Sequence, residues 1–144
     1  MKWFCAHLSE TGAAALEFAS VAPLLFILIF GGIDLSRLMY HSSALHFALS
    51  SGLRWGILGE TVRGLGRSES IETVIIDIGS RYKLELTPNL IHICSGTALD
   101  CTTDNAGNPG EIILVRATKQ VDLFFGMMVV NISSSVFGKN EQYV

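Results

Sequence analysis

The sequence predicts an α+β chain, with a long N-terminal transmembrane and then amphipathic helix, followed by a small ectodomain holding one short helix and an antiparallel sheet. Three observations predict it. Phe18 to Ile33 runs sixteen residues without a charge. Beyond it Leu35, Leu38, Met39, Leu45, Leu49, Leu53 and Ile57 recur mainly at three- and four-residue steps, as one face of a helix does. From about Tyr82 onward the period becomes two, which is a strand signal.

The first helix is expected from about Ala13 to Leu58. A spanning helix needs about 20 apolar residues, and residues 13–33 supply them apart from Glu17, so 34–58 is a continuation outside the membrane. Pro23 removes one helical hydrogen bond and permits a kink that membrane helices tolerate, and Gly31-Gly32 is a second soft point. Gly59 to Arg67 is a glycine-rich loop opening the ectodomain, residues 59–144. Ile71, Val74, Ile75 and Ile78 then predict a helix over 69–82, with Ser68 or Ser70 as its cap and Gly79 near its end.

Tyr82 to Leu86 and Leu90 to Cys94 alternate as strands around a Thr87-Pro88-Asn89 turn. Glu111 to Leu123 is the longest strand-like run, with Val115, Ala117 and Val121 on one side, and Ile132 to Phe137 is a closing strand. Cys101 to Gly110 reads as a polar hairpin tip. Phe124 to Val130 is the second most apolar segment. It is too short to span a bilayer, and core is favoured over a docking patch because a small domain has few other large side chains to bury.

Of the 144 residues, 49% are hydrophobic and 16% charged, which suits one span attached to one globular part. The net charge of −3, with no basic run, argues against nucleic acid as a partner. His7, His41, His46 and His92 are scattered and form no metal-ligand motif. No Gly-x-Ser-x-Gly turn is present, and Gly64-Leu65-Gly66 lacks the third glycine of a phosphate loop. Asp100, Asp104 and Asn105 are read as a solvated loop in preference to a loose calcium site. No catalytic residue, metal or cofactor is expected, and the chain is not read as an enzyme.

Cys94 and Cys101 enclose a six-residue loop. A disulfide between them, worth about 2–3 kcal/mol in the chain-entropy model, is favoured over free thiols or a metal site completed by His92. A secretory signal peptide is disfavoured, because the small-residue pattern Ala19-Ser20-Val21-Ala22 sits inside the apolar run.

Glu17 is the anomaly, one carboxylate near the start of an apolar stretch. It lies either at the headgroup level or within the bilayer, where an ionised group implies a partner. Gly12 precedes Ala13-Ala14-Ala15-Leu16-Glu17-Phe18-Ala19, and Ala22-Pro23-Leu24-Leu25 and Gly31-Gly32-Ile33-Asp34-Leu35 follow. This order resembles the processing site and membrane segment of type IV prepilins and, more closely, of the TadE-like family of the tight-adherence (Flp) pilus system. Ser133-Ser134-Ser135-Val136 with Asn140-Glu141 is similar to that family's closing strand.

The resemblance implies cleavage after Gly12 by a prepilin peptidase, which removes Met1 to Gly12 with Cys5 and makes Ala13 the new N-terminus. Glu17 is then the fifth mature residue, placed to pair with the Ala13 amine of a neighbouring subunit and so fix helix register. Glu17 and Phe18 are thus the assembly residues. The resemblance further implies a pseudopilin or minor pilin of the Flp pilus or of a related secretion machine. Its partners are other pilins or pseudopilins and the inner-membrane assembly platform. Its location is the bacterial inner membrane, single-pass, N-terminus cytoplasmic and C-terminal domain periplasmic or extracellular. The competing expectation is an uncleaved single-span anchor carrying an envelope-binding module.

Overall fold

The computed structural model describes residues 3–95 and 105–141. Its elements in chain order are α1 (Trp3–Ile57), α2 (Arg67–Arg81), β1 (Ile91–Ser95), β2 (Ile112–Leu123) and β3 (Met128–Lys139). The fold is α+β, as expected: a long apolar helix, one further helix and a three-stranded antiparallel sheet of order β1-β2-β3. The chain divides into two compact units, Met1–Arg37 and Leu38–Val144. α1 begins earlier than Ala13, so its first turns lie within the segment read as a leader. Its C-terminal end agrees with the expectation.

In the second unit, Leu45, Leu49 and Leu53 of α1 are buried with Ile71 and Ile75 of α2. The four-residue spacing of those leucines places them on one helical stripe. Leu35 and Met39, counted with them in the expected apolar pattern, are exposed; Met39 stands six residues before Leu45 and so off that stripe. Gly52 and Gly56 let α2 approach α1 closely. A Cβ built on Gly56 would stand 2.5 Å from Ile71 Cδ1, and one on Gly52 would strike the Ile75 side chain.

α2 starts two residues before the expected position and is not capped by serine. Glu69 Oε2 accepts the Gly66 N–H at 3.1 Å, while Ser70, already helical, donates to the Gly66 carbonyl and accepts from the Val62 N–H. A carboxylate in the first turn satisfies an orphan donor and favours the positive end of the helix dipole. The helix stops in a Schellman motif: the Leu84 N–H reaches the Gly79 carbonyl and the Lys83 N–H the Ser80 carbonyl. Lys83 occupies the left-handed position with φ 56°, where glycine is usual.

Tyr82 to Leu86 is not a strand. Leu84 and Leu86 are buried alternately with exposed Glu85, but no strand among the described residues pairs with them, and the Leu86 N–H bends back to the Leu84 carbonyl. Alternation here comes from extended chain lying over the core. A short 3₁₀ turn, Pro88–Leu90, then leads into β1.

The sheet follows the expected alternation. Ile91 and Ile93 of β1, Ile113, Val115 and Ala117 of β2, and Val136 of β3 share the core face. β3 carries small residues where α1 crosses it. A Cβ on Gly138 would lie 2.5 Å from Ile57 Cδ1, and Ser134 Oγ is 3.2 Å from His46 Nδ1.

Phe124 to Val130 corrects the core assignment. Leu123 pairs with Met128, so residues 124–127 are the β2–β3 connection, and connections run over the surface. Met127 is 82% exposed, with Met128 and Val129 also open.

Asn140 closes the domain. It is buried; its Nδ2 donates to the Ala106 and Asn108 carbonyls, and its Oδ1 accepts from Arg67 Nη2 at 2.8 Å. The Arg67 guanidinium also reaches the Gly107 and Gly56 carbonyls. The polar loop before β2 is therefore pinned from Ala106 onward. Its Asp100 to Asp104 portion, including Cys101, lies outside the described residues.

Candidate assembly helix

The residues singled out by the sequence fall into two groups, in different units. Gly12, Ala13, Glu17 and Phe18 lie on the first unit's part of α1, and Cys94 lies at the end of β1. Cys94 is buried and disulfide-bonded. Cys101, the partner expected for it, lies outside the described residues, as do the side chains of the leader segment.

Among the described residues, most large side chains of the apolar run are open. Leu16, Phe18, Val21, Leu24, Phe26, Ile27 and Leu28 are all more than half exposed, and they point to every side of the helix. A helix apolar all round is stable only in lipid or inside a protein assembly. From Gly12 on, α1 is long and apolar enough to cross a membrane. Pro23 sits within the continuous helix. The Ser20 hydroxyl donates to the Glu17 carbonyl at 2.7 Å and the Ser36 hydroxyl to the Gly32 carbonyl at 2.9 Å. Phe26 and Phe30 stack one turn apart, with ring centroids separated by 6.1 Å. Asp34 and Arg37, with N···O 3.7 Å, form an ion pair where the uncharged run ends.

Gly12 and Glu17 have no packing or pairing partner for their side-chain positions among the described residues. A Cβ on Gly12 would meet nothing within 4 Å, and the residue is helical, where alanine is favoured by about 1 kcal/mol. The Glu17 side chain is exposed and makes no hydrogen bond or ion pair among the described residues. Neither packing nor local pairing selects these two residues. Residues 12–54 match the family model of the TadE-like proteins. The chain carries a TadE-like helix. The match begins at Gly12 and covers the apolar run and the part of α1 that enters the ectodomain core. No curated protein and no solved structure matches the chain.

Two features escaped the sequence. Arg67 and Asn140 are 73 residues apart, and no local pattern links them. The exposed β2–β3 turn was legible as apolar but not as exposed, since that depends on where the hairpin turns.

Proposed function

We propose that the chain is a TadE-type, pilin-like subunit, cleaved after Gly12 by a prepilin peptidase and assembled through its N-terminal helix into a tight-adherence pilus or a related secretion machine. The TadE-like family is a family of pilus-associated structural proteins. What carries the reading is that the family match starts at Gly12, where a Cβ would meet nothing within 4 Å, at the head of a run whose large apolar side chains stand exposed. A glycine that local packing does not require suits recognition by another protein.

In this reading the leader stays cytoplasmic, residues 13–33 cross the inner membrane, and the ectodomain lies on the far side. Ala13, once freed, carries an α-amino group. The Glu17 carboxylate is one turn away, so it pairs with the amine of an adjacent subunit and sets the axial stagger between helices. Cys94 with Cys101 staples the loop before β2 in an oxidising compartment. Other pilins or pseudopilins and the assembly platform are the partners. The work done is structural: helix packing and register, without chemistry on a substrate.

Gly12→Ala tests the first step. In cells that express the matching peptidase, the variant is expected to accumulate with its leader attached while the parent chain is processed. Equal processing of both would remove the cleavage reading and leave an uncleaved anchor for the ectodomain.

A further inference from the structure

We propose that the β2–β3 turn, Phe124 to Val129, docks into the lipid interface of the membrane that the N-terminal helix enters. This rests on the membrane-anchored reading above. The turn is a contiguous apolar cluster: Met127 is 82% exposed, Val129 55% and Met128 52%. No charged residue falls between Asp122 and Lys139. Phe124 is held in the left-handed region with φ 50°, a costly conformation for a bulky side chain that the turn nevertheless imposes, and Gly126 follows at φ 87°.

The direction of β3 identifies the occupant. Gly138 lies against Leu53 and Ile57, and Ser134 against His46, so moving back along β3 moves toward the N-terminal end of the ectodomain's share of α1. From Ser134 to Met127 the strand covers about 23 Å at its usual rise. From His46 to Leu38 the helix covers only about 12 Å. The turn therefore reaches the Leu38 end of the ectodomain, five residues along the chain from Ile33, where the uncharged run ends. An exposed apolar turn at the membrane-entry end of an anchored domain has lipid as its nearest apolar phase. The exposed Met127, Met128 and Val129 side chains suit an insertion of about 5–10 Å at the headgroup boundary.

The test uses the full chain with Trp3→Phe and Trp55→Phe, reconstituted in phosphatidylcholine–phosphatidylglycerol vesicles containing lipid brominated near the top of its acyl chains. Single tryptophans are introduced by Met127→Trp, by Phe137→Trp at the far end of β3, where the parent side chain is 78% exposed, and by Leu28→Trp in the apolar run. Bromine is expected to quench the Met127→Trp chain about twofold more than the Phe137→Trp chain, with Leu28→Trp also quenched. Quenching of Leu28→Trp with Met127→Trp no different from Phe137→Trp would overturn the docking and leave the membrane anchor standing. If Leu28→Trp is not quenched either, the anchor reading itself fails. A blue-shifted Met127→Trp emission without bromine quenching would mean that another protein chain covers the turn, and would overturn lipid as the occupant.

Discussion

The two ends of this chain are built on opposite terms. In the ectodomain core unusual residues have neighbours that explain them: Gly56 makes room for Ile71, Gly138 for Ile57, and buried Asn140 ties Arg67 to the Ala106–Asn108 segment. In the first unit Gly12 and Glu17 have no such neighbour among the described residues, and the large apolar side chains around them stand open. The contrast separates residues kept for folding from residues kept for something outside the chain. Substitutions in the first group should change stability and spare assembly. Those in the second should do the reverse.

The largest effect expected is on Glu17. Glu17→Ala should be inserted and processed, with an unchanged ectodomain melting curve, yet be absent from sheared filaments or cross-linked assemblies of the parent system. Normal incorporation would discard the pairing role and favour a carboxylate resting at the headgroups. Asn140→Ala comes next. It leaves the Ala106 and Asn108 carbonyls and one Arg67 N–H without their partner, and should lower ectodomain stability in denaturant by about 3 kcal/mol. Full-length chain in detergent, followed by ectodomain circular dichroism, measures it.

Gly52→Val should cost about 1–3 kcal/mol, because the new side chain collides with Ile75 and pushes α2 from α1. A loss under about 0.5 kcal/mol, the range of ordinary surface changes, would mean that the helices separate freely.

The helix stripe 45, 49, 53 and the pair 71 and 75 were legible because period alone assigns them to a buried face. The strand Ile112–Leu123 was legible for the same reason at period two. Three readings failed where tertiary context decides. Leu84 and Leu86 alternate without a strand beside them. Ser68 and Ser70 looked like caps, but the Glu69 carboxylate takes the N-terminal donor. Met127, Met128 and Val129 of the Phe124–Val130 run are apolar yet outward, since the pairing of Leu123 with Met128 puts residues 124–127 at a turn. In the candidate site, Gly12 and Glu17 were visible as anomalies from sequence, whereas the open space at Gly12 and the lack of a Glu17 side-chain partner among the described residues required coordinates.

The smallest effect concerns Glu111. Its carboxyl is held below the usual 4.5 by hydrogen bonds from the Asn108 backbone N–H and side-chain amide. A lowered folded value means that the unfolded chain binds the proton first as pH falls, so the contribution is present above the unfolded pKa and is lost as pH drops through the folded one. Glu111→Gln should therefore flatten a slight loss of ectodomain stability below about pH 4.5 and leave neutral pH almost unchanged. Identical acid limbs for the two chains would remove this role.

The central claim is that the N-terminal segment is read by other proteins, beginning with a peptidase at Gly12. The most direct test is the N-terminal residue and intact mass of the protein extracted from membranes of cells that carry the matching prepilin peptidase. The account predicts a chain starting at Ala13; a chain that still begins at Met1 would contradict it.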